Sequence, residues 1–215
     1  MSVNILIADD HEIVRKGLAM IIFESLSDMV IVGEAKNGRE ALAQAEALSP
    51  DVIIMDISMP DLNGIEATRM ICERLPSVRV IILSMHHTRE HVFRAMQAGA
   101  WGYLLKESAG LNIIAAVNAV MKGRRYFSEG VEPPAQTRRG YSGSTASPID
   151  SLSPRELEVI QFVVEGKTSA EIAEILKLSP KSIETYRSRL MQKLSIGTIS
   201  ALVKFAILHG ITHSE

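Results

Sequence analysis

Val52-Ile53-Ile54-Met55 is an unbroken apolar run that stops on Asp56, with Ile57-Ser58-Met59-Pro60 leading into a loop. A run with no polar alternation belongs to a strand covered on both faces, as in a parallel sheet. Four further runs of the same kind are Ile5–Ala8, Val30–Val32, Val80–Leu83 and Tyr103–Leu105. Helix-period segments near 12–25, 38–48, 64–74, 89–98 and 110–122 separate and follow them, so the pattern predicts five βα units. The fold class expected is α/β, a doubly wound five-stranded parallel sheet. Asn63, three residues before Glu66, is a capping pair for the helix after Asp56.

In an open α/β sheet the ligand lies beyond the carboxyl ends of the strands. Just past the ends of these runs stand Asp9 and Asp10, Asp56, Ser84 and Lys106. Each aspartate alone is an ordinary turn residue. Acid, acid, hydroxyl and ammonium from four strand ends make a set with a chemistry. Converging carboxylates repel one another unless a cation sits among them, which calls for a hard divalent ion, Mg²⁺. Asp56 is then a nucleophile towards phosphorus, with Lys106 and the Ser84 hydroxyl binding the remaining phosphoryl oxygens.

From Val3 to about Phe127 the sequence resembles the receiver domains of two-component response regulators. The resemblance rests on Asp9-Asp10, Met55-Asp56-Ile57-Ser58-Met59-Pro60, Ser84 and Gly102-Tyr103-Leu104-Leu105-Lys106. It implies a flavodoxin-like receiver in which Asp56 accepts phosphate from a sensor histidine kinase and the Ser58 carbonyl joins Asp9, Asp10 and Asp56 around Mg²⁺. It also implies a switch, in which the Ser84 hydroxyl turns to the phosphoryl group and Tyr103 moves inward. Two positions depart from the family pattern. Glu107 follows Lys106 where proline is common, and Met85 is large where small residues are common; Met85 is expected to restrict access and slow the loss of phosphate. Ser58 and His86 occupy positions that tune the same rate in the family.

Residues 129–150 break the rhythm with Pro133, Pro134, Gly140, Gly143 and Pro148 among Ser, Thr, Arg138 and Arg139, the composition of a flexible linker. Four helix signals follow: Ser153-Pro154 with Glu156, Thr168 with Glu171, Ser179-Pro180, and Thr198 with Gly210 at the end. An all-α four-helix domain over 151–215 is expected behind a receiver over 1–128. On the helix 180–194, Ile183, Tyr186, Leu190 and Leu194 share one face. Lys181, Glu184, Thr185, Ser188 and Gln192 lie opposite, flanked by Arg187, Arg189 and Lys193. Short polar residues rimmed by cations suit a major groove: the rim and the helix end at Thr168 meet phosphates, and the N-terminal half reaches base edges. The segment from Leu152-Ser153-Pro154-Arg155-Glu156 through Ser179-Pro180-Lys181-Ser182-Ile183-Glu184-Thr185-Tyr186 to Lys193-Leu194 resembles the LuxR-type helix-turn-helix. With the receiver before it, the chain is similar to the NarL/FixJ family of response regulators.

The net charge of −2 is unusual for a DNA binder. It divides into −2 over residues 1–128, −1 over 129–150 and +1 over 151–215, with four basic residues against one acid inside 180–194. So weak a charge limits the affinity of one copy for double-stranded promoter DNA, and a homodimer formed on phosphorylation is expected, with the apolar last helix as a candidate face. A single cysteine, no signal-peptide pattern and no apolar run of about 18 residues point to the cytoplasm and away from the membrane. A haloacid-dehalogenase-type phosphatase would follow its first strand with the nucleophile and carry a second acid two residues on; here that residue is Ser58. A regulator that works without phosphate fits poorly with an intact acceptor set, and a ligand-sensing transcription factor would need an apolar pocket.

Overall fold

The computed structural model describes residues 2–25, 28–134 and 148–212, without the side chain of residue 150. Most of the expected linker, residues 135–147 with Arg138, Arg139, Gly140 and Gly143, lies outside the described residues. The chain divides into two compact units, Met1–Ala135 and Gln136–Glu215.

The first unit runs β1 (Val3–Ala8), α1 (Glu12–Glu24), β2 (Met29–Ala35), α2 (Gly38–Leu48), β3 (Val52–Asp56), α3 (Gly64–Arg74), β4 (Arg79–Ser84), α4 (Arg89–Gln97), β5 (Gly102–Leu105), α5 (Ala109–Met121) and β6 (Tyr126–Phe127). All strand pairs are parallel, in the order β2-β1-β3-β4-β5-β6. The five strands expected are present, and a sixth corrects the count. β6 is two residues long, directly after Arg124-Arg125, too short to produce an apolar run. Beyond it, Ser128 and Val131 are still buried, and Arg89 of α4 pairs with Glu132.

Strand alternation feeds two cores. Leu6, Ala8, Ile53, Met55, Val80, Ile82 and Tyr103 point to the layer of α2, α3 and α4, where they meet Ala41, Ile65, Ile71 and Val92. Ile5, Ile7, Val52, Ile54, Ile81 and Leu83 point to α1 and α5, against Leu18, Ile22, Ile113 and Val117. With both faces covered, the strands have no polar side to show, which is why they read as continuous apolar runs.

The second unit packs α6 (Pro154–Val164), α7 (Ser169–Leu176), α8 (Pro180–Lys193) and α9 (Ile199–Leu208) around Ile160, Phe162, Ile172, Ile183, Leu190, Leu202 and Ala206. Full capping boxes start two of them, Ser153 with Glu156 and Thr168 with Glu171, and Ser179 and Thr198 cap the other two. Such reciprocal caps satisfy orphan N–H groups at each helix start and stabilise it by about 1 kcal/mol. On α9, Leu202 and Ala206 are buried while Ile199 and Leu208 are exposed.

Candidate functional site

The parallel order places the carboxyl ends of β1, β3, β4 and β5 side by side, with the direction of winding reversing between β1 and β3. Asp9 and Asp10 follow β1, Asp56 ends β3, Ser84 ends β4 and Lys106 follows β5. Lys106 Nζ lies 2.8 Å from Asp9 Oδ2 and 2.9 Å from Asp56 Oδ2. Asp9 and Asp56 are buried, so this bridge is a desolvated one. Asp10 joins through His11, whose Nδ1 is 2.8 Å from Asp10 Oδ1 and 3.2 Å from Asp9 Oδ1. Ser84 is buried and its Oγ accepts the His86 N–H at 2.9 Å. Ser58 stands half-buried two residues past Asp56.

Burial is the largest force on the Asp56 carboxyl and pushes its pKa up; Lys106 pulls it down, Asp9 and Asp10 push it up again, and it settles at about 7. Burial also works against the Lys106 charge, but Asp56 and Asp9 outweigh it and hold the ammonium above the usual lysine range. The sign of the resulting linkage is definite. A carboxyl that titrates near 7 when folded, against an ordinary 3.8, stabilises the fold fully below 3.8 and loses that contribution as pH rises through 7. Asp56→Asn is therefore expected to be more stable than wild type at pH 8 in metal-free buffer, by on the order of 2–4 kcal/mol at ~1.4 kcal/mol per pH unit. The gap should close towards pH 4 in thermal melts.

The acidic cluster fits a divalent cation. Ligand atoms of Asp9, Asp10, His11 and Asp56 all lie within 4.8 Å of one another. Oδ2 of Asp9 and of Asp56 are buried and accept no hydrogen bond in good geometry from the described residues, each meeting the Lys106 ammonium as an ion pair. Such oxygens are costly to leave dry, and an oxygen-seeking ion answers that cost.

Two supports were not legible as site residues. Arg15, buried on α1, donates from Nη1 to the Asp9 carbonyl at 2.8 Å and the Asp10 carbonyl at 3.3 Å, and from Nε to Glu34 at 2.9 Å. That hydrogen bond from Arg15 leads the forces holding the Glu34 carboxyl below its ordinary range. Gly64 opens α3 with its N–H on the Ile57 carbonyl at 2.8 Å, and a Cβ there would stand 1.8 Å from the Asp56 carbonyl oxygen. A charged residue at helix period reads as surface, and a glycine at the first position of a capped helix gives no sign of a close approach; neither signals its contact in the sequence.

Tyr103 is fully buried, its hydroxyl donates to the His86 carbonyl at 2.7 Å, and burial raises its pKa to about 12. Met85, expected to guard the acceptor, is 69% exposed. A side chain packed as a cover would be buried, so Met85→Ala is now expected to leave the half-life of acyl phosphate on Asp56 within about twofold in a dephosphorylation assay, a scale below ~0.5 kcal/mol.

In the second unit, Ile183 and Leu190 of α8 are buried and Tyr186 and Leu194 pack against the same core. Lys181, Glu184, Thr185, Ser188 and Arg189 line one shallow open depression on its other side. Arg187 donates to Ser169 Oγ at 3.1 Å, tying α8 to α7. Lys193 is engaged within the unit, donating to Glu156 Oε2 at 2.7 Å and the Ser151 carbonyl at 3.0 Å. Thr168 Oγ1 is bonded to Glu171 in its capping box, at the start of α7.

Residues 5–118 match the family model described as response regulator receiver domain, and residues 150–206 that described as bacterial regulatory proteins, luxR family. The chain is 38% identical over 213 residues to the response regulator UvrY of Escherichia coli O6:H1, covering 99% of this chain and 97% of that one. It is 39% identical over 194 residues to the transcriptional regulatory protein LiaR of Bacillus subtilis, covering 90% and 92%. A solved structure of the Salmonella typhimurium response regulator RcsB, described in terms of conformational dynamism for DNA interaction, is similar at 28% identity and a TM-score of 0.66, covering 97% and 98%. With a receiver fold carrying the acidic site and a LuxR-type helical unit behind it, the chain belongs to the NarL/FixJ family of two-component response regulators.

Proposed function

We propose that this chain is a cytoplasmic, phosphorylation-controlled transcriptional regulator, in which a sensor histidine kinase phosphorylates Asp56 and the modified receiver promotes homodimerisation and binding to promoter DNA. One observation carries this reading: Lys106 within 3 Å of both Asp9 and Asp56, at the carboxyl edge of a parallel sheet. The Asp56 carboxylate supplies the attacking oxygen. Lys106 neutralises charge on the phosphoryl oxygens, and the Ser84 hydroxyl turns from the His86 N–H to donate to one of them. Asp9, Asp10, Asp56 and the Ser58 carbonyl would hold Mg²⁺, which adds further neutralisation of the transferred group. Asp56 is an acceptor rather than a turnover catalyst, because Ser58 stands where a phosphatase of similar chemistry carries its acid-base carboxyl.

At the second unit, the depression on α8 presents Lys181, Glu184, Thr185 and Ser188 to base edges, with Arg189 at its rim for phosphate. Arg187 and Thr168 stand at the junction of α7 and α8, where the α7 helix end also favours phosphate. Lys193, already paired with Glu156, contributes less charge to DNA than its flank position implied. Arg189→Ala is expected to weaken DNA binding about tenfold with every sequence alike, and to lower the slope of log affinity against log salt by about one.

The deciding experiment is light-scattering mass with and without beryllofluoride and Mg²⁺, on wild type and Asp56→Asn, with DNA binding by the same samples. The wild type alone should gain mass and affinity. DNA binding that never responds to beryllofluoride would replace this reading with a phosphate-independent regulator.

A further inference from the structure

Lys106 reaches its carboxylates from a backbone that has just left the sheet. β5 ends at Leu105, and Lys106 opens a single 3₁₀ turn, Lys106–Ser108, that has no side-chain cap. On the β6 side, the Trp101 and Tyr103 carbonyls accept the N–H groups of Tyr126 and Ser128 at 3.1 and 3.0 Å. A parallel ladder repeats every two residues, so the next rung would join the Leu105 N–H to the Ser128 carbonyl. That carbonyl is taken instead by the Val131 N–H at 3.1 Å, as the chain turns away from the sheet. The side chain of Ser128 supplies the missing acceptor. Ser128 is buried, and its Oγ accepts the Leu105 N–H at 3.1 Å.

The proton of that hydroxyl has one destination. Ser108 Oγ donates to the Leu105 carbonyl at 3.3 Å, which uses the Ser108 proton, and it stands 3.2 Å from Ser128 Oγ. Ser128 therefore donates to Ser108, and the three groups close a ring of hydrogen bonds on the N–H and C=O of Leu105. Each hydroxyl in the ring donates once and accepts once, so the bonds reinforce one another. The Leu105 carbonyl belongs to the peptide bond that carries Lys106.

We propose that Ser128 is a positioning residue for phosphoryl transfer: through Leu105 and Ser108 it fixes the peptide that carries Lys106, and so aims the ammonium at Asp9 and Asp56. This rests on the reading of Asp56 as the acceptor. The lysine has a long flexible stem, yet its Nζ meets oxygens from the ends of β1 and β3 at once, at 2.8 and 2.9 Å. It can do so reproducibly only from a fixed root. A misplacement of about 1 Å in a reacting centre costs on the order of 10²-fold; the stem recovers part of this, which leaves a loss of about tenfold.

The test follows phosphorylation of the full chain by phosphoramidate in Mg²⁺, read by intact mass. Ser128→Ala should be phosphorylated about tenfold more slowly than wild type, and Ser128→Thr, which keeps the hydroxyl, within about twofold of it. Adding Ser128→Ala to Lys106→Ala should slow that variant by no more than about twofold, because Ser128 acts only through the lysine. In metal-free buffer the Leu105 amide should exchange with solvent at least about tenfold faster in Ser128→Ala than in wild type. Normal uptake by Ser128→Ala, a threonine variant as slow as the alanine one, an unchanged Leu105 amide, or the full loss repeated on the Lys106→Ala background overturns the role of Ser128 while leaving the acceptor site standing. If wild type takes up no phosphoryl group on Asp56, the acceptor reading falls and this inference falls with it.

Discussion

Lys106→Ala is expected to slow phosphoryl uptake by Asp56 about 10²–10³-fold with a small-molecule phosphodonor such as phosphoramidate, the usual cost of removing one preorganised charge from a reacting centre. The geometry supplies two separate reasons. Lys106 lies between Asp9 and Asp56, so its loss leaves two buried carboxylates facing each other without a cation. Lys106 is also the group that pulls the Asp56 pKa down against burial, Asp9 and Asp10. Without it the carboxyl titrates above 7, and a larger share is protonated, hence not nucleophilic, at neutral pH. The rate-against-pH profile of the variant should therefore move to higher pH, which a simple loss of folding would not produce. Breaking a buried pair by removing one partner costs about 3–5 kcal/mol, and here protonation of Asp56 relieves part of it. The stability loss should accordingly be larger at pH 8 than at pH 5. A variant with normal uptake at pH 7 would remove Lys106 from the mechanism.

Gly64→Ala is expected to destabilise the receiver by about 3 kcal/mol and to disable the acceptor in whatever fraction still folds. The added methyl would lie 1.8 Å from the Asp56 carbonyl oxygen and 2.8 Å from its carbonyl carbon. Both are backbone atoms of the proposed acceptor residue, so α3 must retreat or the end of β3 must bend. Overpacking of a core commonly costs about 1–3 kcal/mol, and a clash with main chain belongs at the upper end. The N–H of residue 64 on the Ile57 carbonyl is strained by the same displacement. Chemical denaturation gives the stability term, and beryllofluoride-dependent mass gives the functional one. Wild-type values for both would show that the loop yields more easily than the packing implies.

Much of this arrangement is legible in the sequence, and the reasons are physical. Strands covered on both faces must be apolar throughout, so β1 to β5 declared themselves; β6, with two half-buried residues, has no such demand on it. The convergence of Asp9, Asp10, Asp56, Ser84 and Lys106 was legible because strand ends in a parallel sheet are forced to one edge, whatever the loops do. What stayed hidden depends on where a long side chain folds back. A helical wheel puts Lys193 on the flank of α8 but cannot see α6 beside it, where Glu156 takes the ammonium. Arg15 looks like a surface cation until the Asp9 and Asp10 carbonyls are found beneath it. Met85 is a different case: its size suggested a cover, and the structure leaves it 69% exposed.

The main chain of His86 is held from both ends by the two residues assigned to the switch, its N–H by Ser84 and its carbonyl by Tyr103. For Ser84 to serve a phosphoryl group, the first of these contacts must be released, and a single neutral hydrogen bond is worth only about 1 kcal/mol net. A latch that shallow gives way to thermal motion about one time in six. Such a regulator would idle partly engaged and answer to small changes in kinase supply, rather than wait behind a threshold.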